Sequence, residues 1–312
     1  MAKKNNKTST ASRKNYQPNK KDFYPELNFA LIERESSDFE NSAFVVLSVP
    51  YDAVTSFKAG AREGPGAIID SSQFLELYDQ ELKKETYKAG IHTLPEVIPA
   101  PGNPEAMMNR IYRVASELLG HKKIVVALGG DHSISTGAVK AHIKAFPKLS
   151  VLQFDAHPDL RDIYEGTPYS SATVARRIVE MGARVVQVGL RALSNEDMAF
   201  AKKAGIPQFF AEDMVGGSNW IERVVSELTD NVYISFDVDF FDPSIMAATG
   251  TPEPGGPGWY DALKLLREVA KKRRVVGFDV VELSPSLGPH SCAFLAAKLV
   301  YKIMGYISEK KK

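Results

Sequence analysis

The alternation of short apolar runs with segments of helical periodicity most constrains the fold of this chain. Six runs are predicted strands: 44–48, 123–128, 149–154, 184–188, 231–236 and 274–281. Eight segments are predicted helices: 67–77, 104–119, 134–146, 172–181, 194–203, 220–228, 259–271 and 291–304. Strands that alternate with helices form a parallel sheet with helices on both faces. Because no linker or repeat divides the chain, we predict a single three-layer αβα domain of the α/β class with a mainly parallel sheet.

The run at 149–154 is followed directly by Asp155, His157 and Asp159. In extended backbone alternate side chains share a face, so these three are predicted to project together. Two carboxylates and an imidazole without a thiolate suit an oxygen-preferring divalent ion, such as manganese, better than a structural zinc. The alternative is a strand end whose acids merely face solvent.

Two further strand ends favour the metal site over that alternative. The run at 123–128 leads through GGDHS to His132, and the run at 231–236 leads to Asp237 and Asp239 with the same spacing of two. The carboxyl ends of parallel strands form the edge of a sheet where ligands bind, so we expect all six side chains to converge there. Six ligands could hold two ions that share carboxylates, whereas clustered aspartates without metal would repel one another.

The segments GGDHS at 129–133, DAHPD at 155–159 and SFDVDFFDP at 235–243 resemble the three signatures of the ureohydrolase family, which contains arginases and agmatinases. The resemblance extends from about residue 46 to about residue 304. It implies an arginase-like fold, two Mn²⁺ per chain, and hydrolysis of a guanidinium group with release of urea. The loop TGTPEPGGPGW and the end of the chain are more similar to agmatinases than to arginases. Agmatine, which would yield putrescine, or a longer guanidino-amine is therefore the implied substrate.

The resemblance also assigns roles to individual residues. Four would hold one ion: His132, Asp155, Asp159 and Asp237. Four, two of them shared, would hold the other: Asp155, His157, Asp237 and Asp239. Glu282 and Thr251 match family residues that contact the guanidinium. For Glu282, the alternative is a loop carboxylate that closes a helix N-terminus.

Ser171 departs from the family pattern. In family members the segment after the second signature carries a histidine beside the substrate, which acts as proton shuttle or general acid, and Ser171 occupies that position here. A serine hydroxyl does not titrate near pH 7, so proton delivery to the leaving amine would be slowed by about 10²–10⁴. His290 is the nearest replacement by sequence, with a helix-start histidine as the alternative. The alternative function is a metal-binding, catalytically weak homologue with a structural or regulatory role.

Several other residues have open or plainly structural interpretations. Arg62 and Glu63, near the implied mouth of the site, could contact substrate or be ordinary loop charges. His142 is predicted to pack inside a helix or lie at the surface rather than to bind metal. Ser133 and Ser194 are predicted helix N-caps.

Charge and cysteine content argue against several classes of partner. A formal net charge of +1 argues against nucleic acid or a membrane surface as an electrostatic partner. No apolar run approaches the length of a membrane span. A single cysteine excludes an internal disulfide framework and fits a reducing compartment, so we expect a cytoplasmic protein. The family resemblance implies a homo-oligomer, a trimer or hexamer, that acts on a small cationic guanidino substrate.

The N-terminal segment differs in composition from the rest of the chain. Residues 1–21 contain seven Lys or Arg and no acid. The segment has neither an h-region nor an amphipathic apolar face, so we predict a disordered basic tail over 1–22 rather than a targeting peptide or an anion-binding arm. The ureohydrolase domain is predicted over 23–312.

Overall fold

The computed structural model describes residues 27–53, 57–214 and 219–309. The tail predicted over 1–22, and the predicted start of the domain at residue 23, lie outside the described residues. None of the described helices is both long and apolar enough to span a membrane. Cys292 is a buried free thiol.

The centre of the molecule is an eight-stranded sheet in which every pair of neighbours is parallel. In chain order the ten strands are β1 (Phe44–Val49), β2 (Tyr78–Asp79), β3 (Lys84–Glu85), β4 (Ile91–Thr93), β5 (Ile124–Gly129), β6 (Leu149–Phe154), β7 (Arg184–Leu190), β8 (Gln208–Phe210), β9 (Asn231–Asp237) and β10 (Arg274–Val281). The spatial order of the large sheet is β4-β1-β5-β10-β9-β6-β7-β8. β2 and β3 form a separate antiparallel pair.

Ten α-helices accompany the described strands: α1 (Arg34–Ser37), α2 (Gly64–Ser72), α3 (Pro104–Gly120), α4 (Ser135–Ala145), α5 (Val174–Glu180), α6 (Asn195–Ala204), α7 (Ala211–Met214), α8 (Trp220–Glu227), α9 (Trp259–Lys272) and α10 (Ser291–Ile307). The strand side chains alternate between two apolar cores. Phe44 and Val46 pack in one core with α2, α8, α9 and α10, whereas Val45 and Leu47 pack in the other with α3, α4 and α5. A sheet covered on both faces confirms the predicted αβα layers and the α/β class.

Element bounds agree best where the apolar pattern is strongest. The strands predicted at 149–154 and 274–281 have those bounds in the structure. The helix predicted over 67–77 instead runs from Gly64 to Ser72, because Pro65 occupies its first turn, where proline is well tolerated. The edge strands β4 and β8 were missed, since three residues are too few to show a periodic pattern.

The segment before α4 corrects one of the two predicted caps. Ser194 caps α6 as predicted, by accepting a hydrogen bond from the Asp197 backbone N–H. Ser133 does not cap α4, because the helix is preceded by a 3₁₀ turn, His132–Ile134. Asp131 caps that turn, since its Oδ1 accepts the backbone N–H of Ser133 at 3.0 Å. This cap fixes the backbone of His132 directly after β5.

Candidate metal centre

Six predicted metal ligands lie together at the carboxyl edge of the sheet: His132, Asp155, His157, Asp159, Asp237 and Asp239. They follow β5, β6 and β9, which surround β10 at the centre of the sheet. All are buried except His157, whose side chain is 25% exposed. Edge position and burial both follow from apolar strands that end at the same side of the domain.

The ligand atoms form two groups that share one carboxylate. In the first group, the Nδ1 atom of His132 lies 3.1 Å from Oδ2 of Asp155, 3.1 Å from Oδ2 of Asp159 and 3.4 Å from Oδ2 of Asp237. In the second, the Nδ1 atom of His157 lies 2.8 Å from Oδ2 of Asp239 and 3.6 Å from Oδ1 of Asp155. Asp155 therefore directs one oxygen toward each group.

The backbone that achieves this convergence is not the extended comb predicted from the sequence. β6 ends at Phe154, and residues 155–159 bend away from it. Asp159 has a φ of 53°, a left-handed conformation that aspartate tolerates better than most residues. The bend returns the Asp159 carboxylate to His132, which an extended segment would not do. In β9, likewise, Asp237 is the last strand residue and Asp239 lies in the 3₁₀ turn Val238–Phe240.

His132 provides a test of whether a cation fits the first group. Its Nε2 atom lies 2.9 Å from the Ser235 hydroxyl, which itself donates to Oδ1 of Asp279. Since that hydroxyl proton is already used, the Nε2–H of His132 donates to Ser235 and the lone pair on Nδ1 faces the three carboxylates. Within the described residues this buried Nδ1 makes no hydrogen bond. A divalent cation fits a site where a lone pair and three carboxylates otherwise repel one another.

The pKa values of the cluster indicate the same requirement. Burial and the Asp155 charge raise the pKa of Asp159 to about 7. Burial and the Asp239 and Asp155 charges raise the pKa of Asp237 well above its usual value. Burial alone would lower the pKa of His157, but the Asp239 and Asp155 carboxylates raise it to about 12. Without metal the cluster must hold protons, and metal ions would replace them.

A cavity of about 310 Å³ opens onto this cluster. Ligand candidates and the two predicted guanidinium contacts line its inner end: His157, Asp159, Asp237, Asp239, Thr251 and Glu282. Its outer wall includes Phe57, Lys58, Arg161, Tyr164, Ser171 and Glu253. The predicted metal and substrate residues therefore border one space.

Glu282 and Thr251 also contact the metal-binding segments. Oε1 of the half-buried Glu282 accepts the backbone N–H of His132 at 2.7 Å, so this carboxylate does close the start of a 3₁₀ turn, as its alternative interpretation predicted. Glu282 also lines the cavity, so the two interpretations are compatible. Burial and the charge of Asp131 raise its pKa well above the usual value. The Thr251 hydroxyl donates to Oδ2 of Asp239 at 3.4 Å.

The candidate proton carriers differ in location. Ser171, 8% exposed, begins the 3₁₀ turn Ser171–Thr173 and lines the cavity. His290 is exposed at the start of α10 and is not among the described residues that line the cavity, which agrees with its structural interpretation. Arg62 pairs with the buried Asp52 instead of lining the cavity. Glu63 is also absent from the lining, so neither loop charge is a substrate contact here.

His142 packs in the interior, as one of its two interpretations predicted. It is fully buried, its Nδ1 lies 2.8 Å from the Ala138 carbonyl oxygen, and its ring meets Tyr233 edge-on. Burial lowers its pKa to about 4, so the ring is neutral near pH 7.

Sequence reasoning missed the residues that support this site. Arg191 donates to the backbone oxygens of Asp239 at 2.7 Å and Glu253 at 2.8 Å, and so ties the loop of Thr251 to the turn of Asp239. Polar residues inside the apolar strand runs, such as Ser235 and Asp279, lie directly behind the ligands. A polar residue in an otherwise apolar run was the available signal.

Comparison with known proteins agrees with the geometry. A family model described as the arginase family matches residues 42–305. The chain belongs to the arginase family. An N(1)-aminopropylagmatine ureohydrolase of Synechocystis sp. is 36% identical over 283 residues, covering 88% of this chain and 92% of the relative. An agmatinase of Pyrococcus horikoshii is 36% identical over 279 residues, covering 88% and 95%. The solved agmatine ureohydrolase of Thermoplasma volcanium superposes with a TM-score of 0.82 at 28% identity, covering 92% and 96%.

These comparisons confirm the predicted family, the arginase-like fold and the enzyme class, a hydrolase of C–N bonds. The chain also contains two Asp/His groups that could hold metal ions: His132, Asp155 and Asp237, and Asp155, His157 and Asp239.

Proposed function

We propose that this arginase-family hydrolase cleaves the guanidino group of an amine-tailed substrate, agmatine or N(1)-aminopropylagmatine, with release of urea and the corresponding amine. Agmatine would yield putrescine, which places the reaction in polyamine biosynthesis. The observation that carries the proposal is the shared position of Asp155 between two ligand groups, at the inner end of a cavity that Glu282 also lines. The names of the relatives support an amine tail.

The donor set fits two divalent ions, and Mn²⁺ is the proposed metal because carboxylate and imidazole donors suit it. His132, Asp159 and Asp237 would serve one ion, and His157 and Asp239 the other, with Asp155 between them. The family assignment of Asp237 as a second shared ligand remains a prediction. Such a pair lowers the pKa of water and so supplies a nucleophile at neutral pH.

Glu282 would bind and orient the guanidinium. A carboxylate accepts two parallel N–H bonds from a planar guanidinium, which sets the direction of the carbon between them. The His132 N–H holds Oε1 of Glu282 and so limits the rotation of the carboxylate. A cation beside Glu282 would also favour its ionised form against the burial that raises its pKa.

Proton delivery to the leaving amine favours a second candidate function, a metal-binding homologue of low activity with a structural or regulatory role. Ser171 lines the cavity where the family resemblance places a histidine. Its hydroxyl can donate a hydrogen bond but does not titrate near neutral pH. The two candidate functions therefore predict the same metal content and different rates.

A urea-release assay on Mn²⁺-loaded protein separates these candidates. The panel should contain agmatine, N(1)-aminopropylagmatine, arginine and 4-guanidinobutanoate. The proposal predicts turnover of the two amine-tailed guanidines and little of the two carboxylate-tailed ones. Urea from arginine alone would contradict the proposed substrate, and no urea from any substrate at full metal content would support the second candidate.

The proposed setting is a cytosolic homo-oligomer, a trimer or hexamer. Light scattering at several protein concentrations measures the assembly, and a monomer at all of them would contradict it.

A further inference from the structure

Three glutamines occupy one row of the sheet directly behind the metal-binding edge. Gln153 of β6 pairs in register with Gln187 of β7, which pairs with Gln208 of β8. Gln153 and Gln187 are buried, and Gln208 is half-buried. Buried amides are costly unless they are hydrogen-bonded, so their partners are informative.

The three side chains form a continuous hydrogen-bonded ladder. The Nε2 atom of Gln208 donates to Oε1 of Gln187 at 2.9 Å, and Nε2 of Gln187 donates to Oε1 of Gln153 at 2.8 Å. Nε2 of Gln153 then donates to Oδ2 of Asp155 at 2.7 Å. The ladder therefore ends on the carboxylate that both ligand groups share.

The direction of the ladder follows from its last member. An ionised carboxylate only accepts hydrogen bonds, so Gln153 must present its NH₂ group to Asp155 and its oxygen to Gln187. The same constraint passes to Gln208. Each amide in such a chain polarises the next, which strengthens the final bond.

The opposite oxygen of Asp155 is held separately. Its Oδ1 accepts the backbone N–H of His157 at 2.6 Å. With one donor on each oxygen the carboxylate cannot rotate, and Oδ2 stays toward His132 while Oδ1 stays toward His157. The plane of Asp155 is thus set by groups that belong to neither ligand set alone.

We propose that Gln153, backed by Gln187 and Gln208, is a positioning residue that holds Asp155 with one oxygen toward each metal site, and so sets the affinity for the metal pair. This inference rests on the proposed function for the identity of the metal, Mn²⁺. It does not depend on the substrate or on the rate of hydrolysis.

The test is Mn²⁺ binding to metal-free protein, measured by calorimetry for wild type and Gln153→Met. Methionine keeps the length and volume of the side chain and removes the donor, while Gln187 retains the Pro158 carbonyl as a partner. We expect affinity for at least one ion to fall about 10- to 100-fold, as for other residues that orient metal ligands. The electron paramagnetic resonance spectrum at equal Mn²⁺ should change from a coupled pair toward isolated ions.

Ser150→Ala is the matched control. Ser150 lies on the same strand, is buried, and hydrogen-bonds Thr229 at 2.9 Å, but it lies at the opposite end of β6 from Asp155. Its Mn²⁺ affinity should equal that of wild type, which separates positioning of Asp155 from a general weakening of the strand.

Equal Mn²⁺ affinity in wild type and folded Gln153→Met would overturn the inference and leave the proposed hydrolysis intact. Failure of the wild type to release urea at full Mn²⁺ affinity would count against the proposed function alone. If Gln153→Met does not fold, Gln208→Met replaces it, with an expected loss of about threefold because polarisation passes through two amides. Unchanged affinity in that variant would likewise overturn the inference.

Discussion

The inner end of the cavity and its outer wall are built in different ways. The inner ligands follow directly from buried strands, within a few residues of the strand end, and most are buried. Glu253, Arg161 and Tyr164 on the outer wall lie on loops and are half-buried. Strand ends determine where a metal binds, whereas loops determine which substrate enters and how its proton is delivered. Metal binding and catalysis can therefore change separately.

Loss of the shared carboxylate should have the largest effect. Asp155→Ala should abolish binding of both ions and with it urea release, because Asp155 belongs to both ligand groups. Asp237→Ala should do the same if Asp237 is also shared, as the family resemblance implies. Asp159→Ala should lose only the ion beside His132. Elemental analysis of the Mn²⁺-loaded variants measures this, and two ions retained in folded Asp155→Ala would contradict the assignment.

Restoring an imidazole at the outer wall tests the other region. Ser171→His should raise the rate of urea release by about 10²–10⁴ without changing metal content, because an imidazole titrates near neutral pH. The rate on agmatine from pH 6 to 9 is the measurement, with Ser171→Ala as the control that should match wild type. A fast wild type that the mutation slows would indicate a different proton carrier.

Much of this contrast could be predicted from the sequence, because strands and the residues after them are determined locally. The bounds of β6 and β10 and the convergence of six ligands followed from apolar runs and spacing. The glutamine ladder could not be predicted, since it needs β6, β7 and β8 to be neighbours, and sheet order is not encoded locally. The bend that places Asp159 beside His132 also depends on contacts distant in sequence.

Glu282 lies where the two regions meet, so its substitution should separate binding of substrate from binding of metal. Glu282→Gln should lower kcat/KM for any guanidino substrate about 10- to 100-fold, the cost of losing a charged hydrogen bond of about 1.5–3 kcal/mol. Metal content should stay near that of wild type, because glutamine can still accept the His132 N–H. Unchanged kinetics would remove Glu282 from the site.

The inner end should also respond to pH through metal affinity. Since the pKa of Asp159 is raised to about 7 and that of His157 to about 12, both bind protons that Mn²⁺ must displace. Affinity should therefore rise between pH 6 and 8, by about tenfold per pH unit for each proton released. Calorimetry in buffers of different ionisation enthalpy counts the protons, and an affinity independent of pH would exclude this competition.

The central claim is that one carboxylate, Asp155, joins two metal sites at the carboxyl edge of the sheet. The most direct test is the number of Mn²⁺ ions bound per chain after loading and removal of excess metal, measured together with the electron paramagnetic resonance spectrum. Two ions per chain with a coupled spectrum are predicted. One ion or none in well-folded, Mn²⁺-loaded protein, or two ions without coupling, would contradict the claim.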